Sequence, residues 1–149
     1  MRVEYRQFKS EDFNEIKKFI KYFYSETPGN IKISDGKIKK TIQEFTAYPE
    51  KGTIIVFEFE KNIIGYAILF KGWSNERSKD LIFIDELYVA KQFRKNGVGD
   101  SFIKFVITKF KNKSAALMLA VESGNEKVEK LYAKNGFKLY KNKTFIRKF

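Results

Sequence analysis

The apolar positions in the first fifty residues predict one strand and two helices. Residues 3–8 alternate apolar and polar side chains, as a half-buried strand does. Ser10 is then expected to cap a helix, because the apolar residues after it recur three or four positions apart. This helical face consists of Phe13, Ile16, Phe19, Ile20 and Phe23. A second amphipathic helix is expected to end before Pro49, and its apolar positions are Ile38, Ile42 and Phe45.

A pair of strands is predicted next. Residues 53–59 and 63–70 are rich in β-branched and aromatic side chains, which favours strands. A tight turn at residues 60–62 joins the two segments, so a hairpin is expected. Residues 71–80 are polar and predict a loop that leads to the next strand.

The most informative stretch lies in the middle of the chain. Residues 82–89 form an apolar run typical of a buried strand, but Asp85 and Glu86 interrupt it with two adjacent carboxylates. A strand that served only the core would not contain them. Directly afterwards, a basic turn with Gly97 and Gly99 opens into a segment of helical periodicity.

This order of a strand, a glycine turn and the start of a helix predicts an anion-binding site. Glycines allow the backbone to approach a ligand, and the first N–H groups of a helix have no partner within the helix. Arg94 and Lys95 add positive charge at the same place. The turn is not a Walker A loop, since no Gly-Lys-Ser/Thr follows, and Phe102 stands where a dinucleotide fingerprint has its third glycine.

The last third of the chain completes a mixed architecture. Residues 115–121 are apolar and predict a buried strand, parallel to the central one if the intervening helix is a crossover. Asn125 is placed to cap a further helix that ends at Gly136. Two closing strands are predicted at residues 137–140 and 144–149. The pattern therefore predicts an α/β (α+β) fold with a mixed, mostly antiparallel sheet and helices on both faces.

The amino-acid composition limits the class of protein and the reaction mechanisms that this chain can use. A length of 149 residues suits one domain over residues 1–149, and 43% apolar residues indicate a globular chain. No apolar run is long enough for a membrane span and no signal peptide is recognisable, so a cytoplasmic protein without a membrane partner is expected. Cysteine and histidine are absent. Thiolate nucleophiles, Ser-His-Asp triads and the usual zinc sites are thereby excluded, and any acyl transfer is expected to be direct and without metal.

The net charge of +12 is compatible with a nucleic-acid or membrane partner. The lysines, however, are spread along the chain and interleaved with glutamates, and arginine is scarce. No compact basic cluster with stacking aromatics is present. We therefore expect no nucleic-acid partner and attribute the charge to solvated surface lysines and, in part, to a polyphosphate ligand.

Two motifs resemble those of a known family. The turn Arg94-x-x-Gly97-x-Gly99 after a strand resembles the acetyl-CoA loop of the GCN5-related N-acetyltransferases (GNAT). Asn125 and residues 131–137 resemble the second signature of the same family. The resemblance runs from about Ile63 to about Tyr140, and residues 1–62 match only in their pattern of elements. It implies a GNAT-like sheet of six to seven strands and acetyl-CoA as cosubstrate.

The resemblance also implies which residues hold acetyl-CoA. Backbone groups of Leu87 and Val89 would pair with the pantetheine arm. Asn125, by local reasoning only a helix cap, would reach the same arm or the tyrosine that contacts it. Asp100 is an acid beside the phosphates and should weaken their binding slightly unless it points away. The pyrophosphate would be held by Arg94, Lys95, Asn96, Gly97, Val98 and Gly99.

Three residues are candidates for proton transfer. An amine must be neutral to accept an acetyl group, and the departing thiolate gains from a proton. Asp85 has the same strand parity as Val89 and is the first candidate for the base; Glu86, on the opposite face unless the strand is bulged, is the second. Both acids could instead only bind a cationic acceptor. Tyr132 would be a core aromatic by spacing alone, but it matches the family tyrosine that lies near the cofactor sulfur, contacts the cofactor and is taken as the general acid.

The two acids favour a cationic acceptor such as a polyamine, an aminoglycoside-like amine, a lysine side chain or a peptide N-terminus. Tyr24 and Glu26, in the part that walls the acceptor pocket in the family, and Trp73 are candidates for contact with it. Two alternatives to an enzyme stay open: a CoA-binding sensor or scaffold without catalysis, and a basic nucleic-acid-associated protein. The family also suggests a homodimer.

Overall fold

The computed structural model describes residues 1–140 and 143–149. The strands are β1 (Glu4–Gln7), β2 (Gly52–Phe59), β3 (Asn62–Ser74), β4 (Lys79–Val89) and β5 (Ala116–Leu119). They form one sheet in the order β1-β2-β3-β4-β5. The first four strands pair antiparallel and β5 pairs parallel to β4, which confirms the mixed, mostly antiparallel sheet.

Four helices accompany the sheet: α1 (Phe13–Glu26), α2 (Asp35–Ala47), α3 (Val98–Phe110) and α4 (Glu126–Lys134). The predicted end of α4 is confirmed. Gly136 has a φ of +86°, and the N–H of Phe137 donates to the carbonyl of Tyr132 at 3.1 Å. A positive φ favours glycine at this position, and the reversed hydrogen bond closes the helix.

Two apolar cores lie on opposite faces of the sheet. One contains buried residues of α3 and α4, such as Phe102 and Tyr132, packed on alternate strand residues such as Phe57. The other contains residues of α1 and α2 packed on the remaining strand positions, among them Val56. Successive strand residues point to opposite faces, so one sheet supports both cores. Helices on both faces are confirmed.

The edge of β4 that faces β5 is only partly paired. Leu81–Ile84 of β4 pairs with Ala116–Leu119 of β5. In the described part of the chain, residues 86–89 have a strand partner only on the other side, in β3. The two parallel strands therefore separate at Asp85, and the backbone of β4 continues alone toward the glycine turn.

The sheet has fewer strands than the six to seven predicted. The residues expected to form the closing pair, 137–140 and the described residues 144–149, contain no strand; part of the predicted turn, residues 141 and 142, lies outside the described chain. Leu139, Phe145 and Ile146 have highly exposed side chains. A suitable pattern of apolar and polar residues is not sufficient for a strand, because a hairpin is stable only when its apolar face packs against the rest of the protein.

Two local predictions were also wrong. The loop expected at residues 71–80 is mostly strand, because β3 and β4 keep pairing as far as Ser74 and Lys79. Ser10 does not cap α1, which begins at Phe13 after a 3-10 turn. Asp12 directly precedes α1 but makes no side-chain capping hydrogen bond to it; its carboxylate accepts the N–H of Lys9 at 2.7 Å at the start of the 3-10 turn.

Candidate active site

A β-bulge marks the two acids of β4. In the pairing with β3, Ile84 lies opposite Leu69 and Glu86 lies opposite Ile68. Asp85 is thus an extra residue between two consecutive pairs. An extra residue of this kind shifts the side-chain alternation of its strand by one position.

The bulge places both carboxylates toward α1 and α2. Before it, Ile84 packs into the core under α3; after it, Tyr88 packs into the core under α1. Asp85 and Glu86 line the same cavity on the α1 and α2 side. Val89 packs against the opposite core. The parity argument that grouped Asp85 with Val89 is therefore wrong, because it assumed a regular strand.

This cavity has a volume of about 240 Å³ and lies between the sheet and the helices α1 and α2. Its polar lining consists of Asp85, Glu86, the Tyr24 phenol and the Thr41 hydroxyl. The rest of the wall is apolar and comprises Ile20, Ile33, Ile38, Phe45 and Ile68. We call this space the acid cavity.

Glu86 is the most buried of its polar groups, with 5% of the residue exposed. The phenol of Tyr66 donates to its Oε2 at 2.6 Å. Burial raises the pKa of the Glu86 carboxyl above its ordinary value; hydrogen bonding by Tyr66 and Tyr24 opposes that rise, and the charge of Asp85 adds to it. The pKa of Tyr66 is raised by its own burial and then by Glu86, so its phenol remains a donor.

Asp85 is more exposed than Glu86. Partial burial of its carboxyl still raises its pKa. Two neighbouring carboxyls with raised pKa values attract a cation and accept a proton more readily than ordinary surface acids. The sequence offered no way to know that both would face one cavity.

The glycine turn leads into α3 as predicted. Gly97 occupies the position before the helix with a φ of +76°, and no atom lies within 4 Å of the place where a side chain would begin. Lys95 also has a positive φ, of 65°. Tyr5 of β1 holds the start of the helix, since its hydroxyl donates to the carbonyl of Val98 at 3.0 Å. The first N–H groups of α3 have no acceptor within the helix, and the space beside Gly97 is open.

Arg94 bridges the glycine turn and the end of α1. Its Nη2 lies 2.8 Å from Oε2 of Glu26, and its Nε donates to the carbonyl of Val89 at 2.8 Å. Its guanidinium also lies over the ring of Tyr88, 5.1 Å from the centroid. Lys91 approaches the same Glu26 carboxylate at 3.6 Å. Arg94 is therefore held by one acid and by a carbonyl of the open β4 edge.

Asp100 points away from the turn. Its carboxylate pairs with Lys104 at 2.7 Å and with Lys134 at 3.1 Å, and it accepts a hydrogen bond from Asn135 at 2.9 Å. Hydrogen bonding to Lys104, then to Asn135 and Lys134, lowers its pKa. This acid is neutralised locally and ties α4 to α3.

Tyr132 and Asn125 lie at opposite parts of α4. Tyr132 is 9% exposed, packs beside Phe137, and its pKa is raised by burial. Asn125 directly precedes the helix, as predicted, but its side chain makes no capping hydrogen bond. The phenol therefore keeps its proton at neutral pH, and the amide of Asn125 does not serve the helix end.

The three predicted acceptor contacts lie in different surroundings. Tyr24 lines the acid cavity, whereas Glu26 lies against Arg94 and Lys91. Trp73 lies near the end of β3 with 68% of its surface exposed and does not line the cavity. Sequence reasoning missed Tyr66; the signal available was a tyrosine in an apolar strand next to a strand with two acids.

A second cavity, of about 520 Å³, lies beside β5 and the C-terminal end of α3. Neither a carboxylate nor a phenol is among its described lining residues, and the charged side chains among them are the cations Lys111 and Lys138. In residues 1–140 and 143–149, no group of three metal-binding side chains is found. None of the helices described here has the length and apolar character needed to span a bilayer.

Comparisons with known proteins bear on the fold and on the family of the chain. No curated protein matches the chain. A possible acetyltransferase from Clostridium difficile superposes with a TM-score of 0.84 at 20% identity, covering 100% of this chain and 99% of the other. AAC(6')-Iy, solved with the bisubstrate analogue CoA-S-monomethyl-acetylneamine, gives 0.81 at 19% identity and the same coverage.

A ribosomal-protein-alanine N-acetyltransferase from Brucella melitensis gives a TM-score of 0.77 at 15% identity, over 99% of this chain and 100% of that one. Structural likeness at such identities shows the fold. The sequence adds the family, because the model of the Acetyltransferase (GNAT) family matches residues 16–137, most of the chain. The chain thus belongs to the GNAT acetyltransferase family.

Proposed function

We propose that this protein is an N-acetyltransferase that moves an acetyl group directly from acetyl-CoA to a primary amine. One observation carries the proposal. The open edge of β4 connects the acid cavity, at Asp85 and Glu86, to the glycine turn at the start of α3. An acetyl donor on the turn and an amine in the cavity would meet on one strand.

The residues at the turn suit acetyl-CoA. The N-terminus of α3 attracts phosphate through its unpaired N–H groups, and Gly97 leaves open space above them. Arg94 and Lys95 supply positive charge beside Asn96, and Val98 and Gly99 form the start of α3. The unpaired edge at Leu87 and Val89 offers backbone groups to an amide-bearing arm, as one strand does to another. When bound, acetyl-CoA supplies an acetyl thioester.

Asp85 and Glu86 take up the proton of the acceptor. A carboxylate in the cavity attracts an ammonium group, and the raised pKa of each carboxyl favours proton transfer from it. Tyr66 and Tyr24 hold Glu86 in place from two sides. We assign the base to Glu86, because it is the more buried and the better oriented, with Asp85 binding the cation beside it.

Tyr132 supplies the second proton. Burial raises its pKa, so the phenol is protonated at neutral pH and can protonate the departing sulfur. Its neighbours on α4 are anchored to α3 through Asp100, which fixes the helix that carries the phenol. An acid held by a neighbouring helix contributes only if that helix keeps its position.

The experiment is an assay for released CoA thiol with a panel of primary amines, followed by mass measurement of the acetylated product. The proposal predicts turnover by the wild-type protein and its loss in the Tyr132→Phe variant. Binding of acetyl-CoA without turnover on any amine would favour a sensor or scaffold. Indifference to acetyl-CoA with salt-dependent binding to DNA or RNA would favour a nucleic-acid partner.

A further inference from the structure

The charged side chains that line the acid cavity, among the described residues, all belong to the sheet. Asp85 and Glu86 both belong to β4, and no cationic side chain is among the described residues that line the cavity. Two carboxylates without a counter-charge favour a cationic group placed directly against them. The occupant therefore needs a positive end that faces β4.

The remaining wall offers almost no hydrogen bonds. Its side chains are five apolar residues from α1, from α2 and the loop before it, and from β3: Ile20, Ile33, Ile38, Phe45 and Ile68. Both hydroxyls of the wall are already engaged: that of Thr41 donates to the carbonyl of Lys37 at 3.2 Å, and that of Tyr24 is hydrogen-bonded to Glu86. A hydroxyl, amide or second charge on the occupant would lose its hydration here without gaining a partner.

The cavity is also small. Its volume of about 240 Å³ lies below the range of about 300–1,000 Å³ typical of pockets for drug-sized ligands. A single ring or a short alkyl chain suits this space. Aminoglycosides exceed it and carry several hydroxyls and ammonium groups.

We propose that the acceptor is a small primary monoamine with an apolar body, of the alkylamine or arylalkylamine class. This inference rests on the proposed function and selects among the amines that the acids alone would admit. The ammonium group lies against Asp85 and Glu86, and the body lies among the isoleucines and Phe45. A carboxylate on the acceptor is rejected, because it would approach two acids with no cation to receive it.

The reaction balances with these groups. The amine nitrogen forms a bond to the acetyl carbonyl carbon as the carbon–sulfur bond breaks. The acceptor ammonium gives up two protons in total. Tyr132 gives its phenol proton to the sulfur and recovers a proton from solvent, while the two protons lost by the amine nitrogen leave through the acid pair to solvent. The products are an N-substituted acetamide, CoA thiol and one released proton.

Matched amines test the proposal. Hexylamine and 1,6-diaminohexane differ only in a second ammonium group, and 2-phenylethylamine and phenylalanine differ only in a carboxylate. We expect kcat/KM, measured by thiol release, to favour the first member of each pair by about tenfold or more, the scale of one buried polar mismatch. Equal rates, or a preference for the diamine or the amino acid, would overturn the proposal.

A charge introduced into the wall of the acid cavity tests whether the body of the acceptor lies there. Ile33 lies in the loop between α1 and α2 and is only partly buried, so Ile33→Asp need not disrupt the core. We expect this variant to shift preference toward 1,6-diaminohexane. Ile31→Asp, at a position of the same loop that is 52% exposed and does not line the cavity, is the matched control. An equal shift in both variants would contradict the assignment.

Thermal melts separate this inference from the proposed function. Acetyl-CoA and each amine are added separately to the wild-type protein. No midpoint change with acetyl-CoA would count against the acetyltransferase, while stabilisation by hexylamine but not by 1,6-diaminohexane would still support the cavity's preference. Stabilisation by acetyl-CoA with no preference among the amines, in melts and in turnover, would overturn the inference alone.

Discussion

The glycine turn and the acid cavity meet at β4, yet they are made of different parts of the chain. The turn is continuous in sequence, running from Arg94 to Gly99, and it presents backbone N–H groups. The cavity collects side chains from α1, α2, β3 and β4. A site built from backbone groups binds the same ligand whatever the side chains are. A site built from side chains of distant elements can change its ligand through single substitutions.

This difference predicts distinct results for mutation. Changes at the proton-transferring groups should abolish turnover and leave cofactor binding intact. Changes in the contacts of Arg94 should alter cofactor binding and leave the acceptor preference intact. A variant that moved both properties together would show that the two regions do not act separately.

The largest effect is expected from Tyr132→Phe. Loss of a general acid lowers kcat by about 10²–10⁴-fold. Stabilisation by acetyl-CoA should persist, because the ring still packs beside Phe137. The control is Tyr140→Phe, at a tyrosine that is 60% exposed and should keep full activity. A Tyr132→Phe enzyme with wild-type kcat would remove the assigned acid.

Glu86→Gln should lower kcat/KM by about a hundredfold, the low end for a general base. In the wild type, activity should fall with decreasing pH as the carboxyl is protonated, with a midpoint above the ordinary glutamate value of about 4.3, because burial raises this pKa. Asp85→Asn should retain more activity than Glu86→Gln. The reverse order would transfer the role of base to Asp85.

The Glu86 carboxyl should also influence the free energy of unfolding. The pKa of the Glu86 carboxyl is higher in the folded protein than in the unfolded chain. Its ionised form therefore destabilises the fold at a pH above the folded-state pKa. This destabilisation is lost as the pH falls from the folded-state pKa to the ordinary glutamate pKa. The difference in unfolding free energy between Glu86→Gln and wild type should therefore favour the variant at neutral pH and shrink on acidification. Urea unfolding across this pH range measures the difference, and an opposite slope would contradict the raised pKa.

Glu26→Gln should tighten acetyl-CoA binding by about two- to fivefold, the equivalent of one partly exposed ion pair. The substitution frees Arg94 from its acid partner for a phosphate. Glu15→Gln removes the same charge from an exposed position of α1 and serves as control. Calorimetric titration gives both affinities; equal changes would indicate a general charge effect instead of release of Arg94.

The smallest effect is expected from Asp100→Asn. Its charge is already compensated by Lys104 and Lys134, so acetyl-CoA affinity should change by less than about twofold. The same titration measures it. A large gain in affinity would mean that the carboxylate acts on the phosphates despite its partners.

Much of the fold was predictable because it depends on local patterns. The hairpin of β2 and β3, the parallel β5 and the end of α4 at Gly136 follow from alternation, crossover length and turn chemistry. The strands expected after residue 136 failed, because a pattern of alternation does not provide a surface for the strand to pack on.

The parts of the candidate site that are contiguous in sequence could be located from the sequence: the motifs give the positions of Gly97 before α3 and of Tyr132 on α4. The bulge at Asp85 depends on how β4 pairs with β3, which one strand's sequence does not specify. The contact between Tyr66 and Glu86 joins residues twenty positions apart and exists only because of that pairing.

The most direct test of the central claim is a thermal melt with and without acetyl-CoA, using adenosine 3′,5′-bisphosphate as a charge control. Binding to the folded state should stabilise the protein by about 2.7 kcal/mol at a hundredfold excess over the dissociation constant. The account predicts a rise in midpoint with acetyl-CoA that clearly exceeds the rise with the control. No rise at saturating acetyl-CoA, or an equal rise with both compounds, would contradict it.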